Sequence, residues 1–552
     1  MEKVKMNHYW PYGGTGIESF GANDVPDMEI IPEPGDYEVL AKVDAYAICA
    51  SDVKMIQMGN DYPLFKDRDF EKQPARLGHE LSLTVVRPGR NMEKDWPVGT
   101  RFGVQPDVYL NGERYCIGVN KDGGMAEYLL LGAEVFKSDF GSCAFEVVND
   151  LSFSSVAQTE PVACVEAAFT NHTRNEIREE DEVLLWIDEE TRSEFDVHEV
   201  AVSKKVSIYD KGNLLSAVIP KGNKFEYGNL EELADRLFDV IVVIGNPQIQ
   251  TMTTLTECLN PGSIFAWLPE KTPCPYVEMD IAKIHYNKIN LSGTMTRSLT
   301  EALSCIKYRC DYKPGGDLII SGGGGAMGRI HVMRALQHEA PPGRIIVTNL
   351  GEERLLSLRE TFGTLALEKG IELITLDIGG KEYEQQIRKL AGENGVSDIV
   401  VCAPGVAPLN GIVEFLAADG MLVLFAGTSY GQFGRLPLGL VSGAGVSITA
   451  SSGSGVKDQL SVVDKMKKGI INPDINIAAI GGLDAGKEGI RAVKEGRYAG
   501  KVIIYPVLRD LPLTAIEELD KIDAELALYV KENGWSRRAE KILFKCIGNG
   551  VR

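Results

Sequence analysis

The chain has 552 residues, 44% of them apolar and 25% charged, with 58 Lys and Arg against 78 Asp and Glu and so a net charge of −20. That is the composition of a soluble globular protein of about three to four domains, and it excludes disorder, collagen and a short disulfide-stapled scaffold. It also argues against nucleic acid and anionic membranes as partners, which need concentrated positive charge, and no run nears the ~18 apolar residues of a membrane span. Met1–His8 carries charge with no apolar run behind it, so it does not read as a signal peptide. The ten Cys are scattered, with only Cys305 and Cys310 close together, which reads as the reduced thiols of a cytoplasmic protein.

Residues 1–150 hold short β-type runs such as Glu38–Val43 and Leu81–Val86, broken by Gly and Pro, and predict a β-rich, barrel-like domain. From about residue 180 the texture changes. Apolar β-branched runs (Val183–Ile187, Val206–Tyr209, Val240–Ile244, Ile264–Leu268) alternate with helical patterns, the signature of βαβ units on a parallel sheet. Pro314-Gly315-Gly316 punctuates the chain. The alternation then restarts with Leu318–Ile320, Ile345–Val347, Leu373–Leu376, Ile399–Cys402, Met421–Phe425 and Val446–Thr449. Asp239-Val240-Ile241-Val242-Val243 and Asp398-Ile399-Val400-Val401 recur in like contexts at an offset of about 160 residues, which favours duplication. Residues 507–552 form a charged tail with apolar positions at helical spacing, predicted to pack on a domain face.

Ile320-Ser321 runs into Gly322-Gly323-Gly324-Gly325-Ala326-Met327-Gly328 and then a helical stretch. Gly323, Gly325 and Gly328 fit G-x-G-x-x-G, with Ala326 and Met327 between the last two. The first glycine would allow the tight turn, the second the approach of a pyrophosphate, and the third close packing of helix on strand. The next strand ends at Asn349, where NAD enzymes usually place an acid for the ribose 2′-hydroxyl. Asn349 serves a hydroxyl without repelling a 2′-phosphate, and Arg354 would meet such a phosphate or lie solvated on its helix, so NAD and NADP both stay open. The upstream copy differs: Ile187 leads into Asp188-Glu189-Glu190, with no glycine and three acids where a pyrophosphate would lie. That copy should not bind a dinucleotide in the usual way, and reads as structural.

Cys49-Ala50-Ser51-Asp52, Gly78-His79-Glu80 and Thr159-Glu160-Pro161 are each weak signals, since a buried Cys, a core His and a helix-capping acid are common. Together, one thiolate, one imidazole and a carboxylate suit a tetrahedral Zn²⁺ with an open position.

These motifs, with Gly123-Gly124-Met125-Ala126-Glu127-Tyr128, the glycine loop and Gly500-Lys501-Val502-Ile503-Ile504, resemble the zinc-dependent medium-chain alcohol and polyol dehydrogenases. Gln105-Pro106 and the Glu160-Pro161 segment are most similar to the sorbitol dehydrogenase and sorbose-1-phosphate reductase branch. The resemblance implies an α/β plus β-rich fold. A GroES-like catalytic domain would span 1–178, completed by 485–506. A glycine-less Rossmann-like domain would follow over 179–313, an NAD(P)-binding Rossmann domain over 314–484, and a helical extension over 507–552. It implies one Zn²⁺ per chain, held by Cys49, His79 and one carboxylate at a time from Glu80 and Glu160. Relatives often carry a second, structural zinc on four cysteines, but here that stretch offers Cys116 alone. Ser51 would accept the proton of a polyol, sugar or sugar-phosphate substrate. At Lys54, often His in relatives, an ammonium would hold an alkoxide or a phosphate, or point into solvent. Two rivals stand beside hydride transfer: a redox-neutral sugar epimerase with tightly held NAD, and a non-catalytic nucleotide sensor. Relatives commonly dimerise through the edges of two Rossmann sheets. Here the glycine-less copy is expected to pack its sheet edge on that of the other copy, as an internal pseudo-dimer, leaving any homo-oligomer to other surfaces.

Overall fold

The computed structural model describes residues 6–21, 24–170, 174–210, 224–226, 230–233, 236–305 and 309–548. Met1–Lys5 and the side chain of Cys305 lie outside the described residues. The chain divides into two compact units: Met1–Glu166 with Ser454–Arg552, and Ala167–Gly453.

In the first unit an eight-stranded mixed sheet is built around Val39–Ala47, a nearly wholly buried strand that pairs antiparallel with Glu80–Pro88, Tyr128–Leu131 and Lys501–Tyr505. Ile477–Gly482 joins the same sheet, parallel to Lys501–Tyr505. The chain therefore returns to this unit at Ser454, ahead of the expected 485, because the strand at 477 finds its ladder here. The tail packs on this sheet: Leu519, Leu526, Trp535 and Leu543 share one apolar cluster with Ile480, Ile503 and Tyr505.

The second unit holds two six-stranded parallel sheets. In each, the strands run in space as third, second, first, fourth, fifth, sixth of their own chain order. The first sheet comprises Glu182–Ile187, Lys205–Tyr209, Lys224–Glu226, Phe238–Ile244, Leu259–Leu268 and Asn290–Gly293. The second comprises Asp317–Ser321, Arg344–Asn349, Glu372–Asp377, Val396–Val401, Leu416–Leu424 and Ser447–Ala450. This order is that of the doubly wound dinucleotide-binding fold, and buried β-branched strands are what covered faces require. Lys224–Glu226 and the polar Asn290-Leu291-Ser292-Gly293 escape the apolar-run signal altogether.

Among the described residues the two sheets do not join by their edges. Val277–Asp280 of the first copy pairs antiparallel with Phe433–Leu436 of the second as a separate two-stranded ribbon. The helix that follows each ribbon strand crosses to the other copy: Leu438–Ala444 lies against the edge strand Asn290–Gly293, and Ile281–Asn287 against Leu416–Leu424 and Ser447–Ala450. Edge-to-edge pairing was the expectation; here a helix from the other copy covers the edge, another way of closing an unpaired ladder. One apolar cluster runs through the join, from Trp186, Ile241 and Trp267 by way of Met279 and Leu436 to Leu424, Ile319 and Ile346.

Candidate metal centre and nucleotide loop

Cys49 sits where a buried strand turns into the helix Ala50–Met58 and serves as its N-cap. Its sulfur accepts from the Ser51 amide at 3.5 Å, while its own amide donates to Asp52 Oδ2 at 2.9 Å. This capping box fixes the sulfur at the helix end. His79 and Glu80 enter from the start of the neighbouring strand. Metal-ligating atoms of Cys49, His79 and Glu80 lie within 4.8 Å of one another. Asp52 Oδ1 stands 3.3 Å from His79 Nδ1, close but poorly aimed, so that both atoms lack a hydrogen bond. His79 Nε2 is 3.2 Å from Ser51 Oγ. Burial works against charge on this imidazole, yet Asp52 and Cys49 hold its pKa well above the ordinary histidine value.

Glu80 is fully buried and already paired, with Lys501 Nζ donating to both of its oxygens at 2.7 Å. Glu160 lies outside the three-residue group; its Oε1 accepts from Cys164 Sγ at 3.2 Å. Burial, with the Glu160 charge beside it, pushes the Cys164 thiol well up and keeps it a neutral donor. Lys54 is exposed on the helix after Cys49. Cys116 is buried, and burial pushes its thiol up to about 12. Sequence reasoning gave no role to Lys501, Asp52 or Cys164. Lys501 and Asp52 stood inside motifs already marked; Cys164, one helical turn after Glu160, carried only its spacing as a signal.

The donor set suits zinc: one sulfur, one imidazole and carboxylate oxygen, with orphaned buried polar atoms around them. Asp52 also stands behind the imidazole at 3.3 Å, the kind of carboxylate that orients a ligating histidine once it accepts the ring N–H.

In the second unit the glycine loop joins Asp317–Ser321 to the helix Ala326–Gln337. The left-handed turn falls at Gly322, with φ 76°, one residue before the expected Gly323. Gly323 is needed for a different reason, because any Cβ there would strike Val347 on the next strand. A Cβ at Gly328 would strike the Gly322 carbonyl and come within 2.5 Å of Gly323 Cα, so helix and loop touch backbone to backbone. Gly325 caps the helix, and a Cβ there would meet only the Gly322 carbonyl, at 3.4 Å. That open space is the cradle a pyrophosphate requires at a helix N-terminus. Asn349 and Arg354 flank the loop, within about 3 Å of where a Gly324 Cβ would lie.

In the glycine-less copy, Ile187 passes into a turn through Asp188 and then the 3-10 segment His198–Val202. No α-helix lies between the first and second strands of this copy among the described residues. Glu189 accepts from Tyr209 Oη at 3.0 Å, and Trp186 and Tyr209 stack at 3.6 Å.

Residues 35–138 match the alcohol dehydrogenase GroES-like domain. The chain is 30% identical over 275 residues to the mannitol-1-phosphate 5-dehydrogenase of Aliivibrio fischeri, covering 45% of this chain and 64% of that one. It is 28% identical over 158 residues to the L-sorbose 1-phosphate reductase of Klebsiella pneumoniae, covering 28% and 37%. The chain thus spans less than two thirds of each relative. In fold it is similar to a zinc-binding dehydrogenase of Sinorhizobium meliloti solved with NADP, at TM-score 0.50 and 17% identity over 91% of this chain and 100% of that one.

Proposed function

We propose that this chain, a member of the zinc-type medium-chain dehydrogenase superfamily, transfers a hydride between NAD(P) and a secondary alcohol or ketone of a polyol, sugar or sugar phosphate. The observation that carries the reading is the convergence of Cys49, His79 and Glu80 on one point of the first unit. The open glycine cradle of the second unit supports the nucleotide half of the proposal. When bound, zinc would polarise the substrate oxygen and NAD(P) would take or give the hydride.

The chain's own residues do the rest. Cys49 and His79 would hold the metal with one carboxylate at a time. Lys501 neutralises Glu80, which leaves Glu160 as the carboxylate with no ammonium on it among the described contacts. Two free carboxylates and a thiolate would blunt the metal's Lewis acidity. Ser51 Oγ, against His79, would take the substrate's hydroxyl proton. The loop from Gly322 to Gly328, with Ala326 and Met327 opening its helix, would seat the pyrophosphate, while Asn349 and Arg354 meet the adenosine ribose. Two relatives are named for mannitol 1-phosphate and sorbose 1-phosphate, which supports a phosphorylated polyol or ketose as substrate.

We propose further that the glycine-less copy stands in for a partner subunit. The ribbon Val277–Asp280 with Phe433–Leu436, and the helices that cross on either side of it, support this.

Purified protein should carry one zinc per chain, lost or sharply reduced in Cys49→Ser and His79→Ala. Polyols and their phosphates, screened against NAD and NADP, should yield NADH or NADPH absorbance that disappears in the same variants. Two zincs per chain, or undiminished turnover without metal, would overturn the site. Stoichiometric bound NAD with no net NADH would replace dehydrogenation by epimerisation.

A further inference from the structure

The glycine-less copy reaches into the carboxyl end of its neighbour's sheet. Its helix Ile281–Asn287 packs beside Leu416–Leu424, the fifth strand of the nucleotide-binding copy. His285, 6% exposed, places Nδ1 at 3.3 Å from the carbonyl of Leu424, the last residue of that strand. A carbonyl can only accept, so Nδ1 carries the hydrogen and Nε2 keeps its lone pair. Burial holds the ring's pKa below the ordinary histidine value, against the hydrogen bond to Leu424.

That lone pair faces the loop leaving the strand. A Cβ on Gly427 would lie 3.2 Å from His285 Nε2 and would collide with Tyr286 Oη. Tyr286 is 41% exposed, its ring edge-on to His285 at 4.6 Å. On its other side stands Tyr430, whose hydroxyl donates to Asn287 Oδ1 at 2.9 Å. Thr428 Oγ1, one residue past Gly427, is buried without a hydrogen-bond partner among the described residues. Polar atoms from both copies therefore meet at the carboxyl end of the fifth strand.

A dinucleotide on such a sheet lies across the carboxyl ends of the strands. Its pyrophosphate sits on the loop after the first strand, the adenosine half lies toward the second and third, and the other half toward the fourth, fifth and sixth. The part that would pass Gly427 is the nicotinamide riboside. We propose that His285 Nε2 and Tyr286 Oη, supplied by the glycine-less copy, bind the nicotinamide riboside half of NAD(P). The inference rests on the glycine loop being a dinucleotide site. An acceptor-only nitrogen needs a donor, and this half offers ribose hydroxyls and the carboxamide amine. The degenerate copy would then be a working part of the cofactor site in addition to a structural brace.

The test is binding, measured calorimetrically on the full chain with NADH and with ADP-ribose, which lacks the nicotinamide. Tyr286→Phe and His285→Leu should each weaken NADH by about twofold to tenfold, the worth of one hydrogen bond. ADP-ribose affinity should stay as in the parent, as should the melting temperature of Tyr286→Phe. His285→Leu also leaves the Leu424 carbonyl without its donor and should melt lower, and His285→Gln, which restores an acceptor, should recover part of the loss of NADH affinity. Unchanged NADH affinity in both variants overturns the proposal, as does equal weakening of NADH and ADP-ribose. A parent chain that binds neither ligand overturns the dinucleotide reading itself, a separable result.

Discussion

Lys501 and Glu80 are both buried, and they pair directly at 2.7 Å. Burial works against the charge on Lys501, yet Glu80, with Cys49 and Glu160 beyond it, holds the ammonium above its usual range. Removing one member of such a pair strands the other charge in a poor solvent, at a cost of about 3–5 kcal/mol. Lys501→Met should therefore lower stability by that order in denaturant unfolding, and Glu80→Gln added to it should recover a large part. Additive losses in the double variant would show that the pair does not act as a pair. The sequence marked Lys501 only as a letter in Gly500-Lys501-Val502-Ile503-Ile504. Its partner lies 421 residues away, and nothing in local periodicity reports a contact of that separation. Cys49, His79 and Glu80, whose ligating atoms the fold brings together, stood out because their residue types are uncommon in combination. The role of Gly322 did not, because in a run of four glycines spacing alone does not reveal which one takes the left-handed turn.

Among the elements, the tail reaches furthest from its own sequence signal. Helical spacing predicted that it packs, and its Glu540 shows how. Glu540 accepts from the Phe153 and Ser154 amides at 2.8 and 2.9 Å and from Tyr505 Oη at 3.1 Å. It thereby caps the segment Phe153–Ala157, which leads directly into the helix bearing Glu160. Asp474 closes the same cluster, accepting from Ser152 Oγ at 2.6 Å and Ser154 Oγ at 2.7 Å. Burial, with the Glu540 charge beside it, pushes Asp474 up to about 7. An unfolded aspartate titrates near 4, so between roughly pH 4 and 7 the folded chain binds the extra proton. Stability from this group is therefore greatest at the acid end of that window and falls as pH rises through it. Asp474→Asn should flatten the decline, seen as a smaller drop in melting temperature between pH 5 and pH 7.5 than in the parent. A parent that gains stability from this group as pH rises would reverse the sign.

At the scale of the molecule, the proposal that the glycine-less copy stands in for a partner subunit is supported by contacts that recur in both directions between the two copies of the second unit. Trp267 and Leu424 are equivalent positions, as are His285 and Ser442, at an offset of about 157 residues. His285 Nδ1 donates to the Leu424 carbonyl, and Ser442 Oγ donates to the Trp267 carbonyl at 3.1 Å, so the same contact is made in both directions. This reciprocity is the mark of an isologous interface. In the ribbon, Val277 faces Leu436, Glu278 faces Arg435 and Met279 faces Gly434. By the same offset Glu278 and Arg435 are equivalent to each other, which puts them at the axis. Two identical chains would set like against like there. A single duplicated chain is free to diverge, and here an acid faces a base. Directly opposed cross-strand charges are worth about 0.2–1 kcal/mol, and both side chains are exposed, so the effect sits at the low end and weakens with salt. Arg435→Glu and Glu278→Arg should each lower the unfolding midpoint slightly at low ionic strength, and the double reversal should restore it. Restoration is the decisive result, because two unrelated surface changes would add, and only residues that meet at the axis can exchange charge without loss.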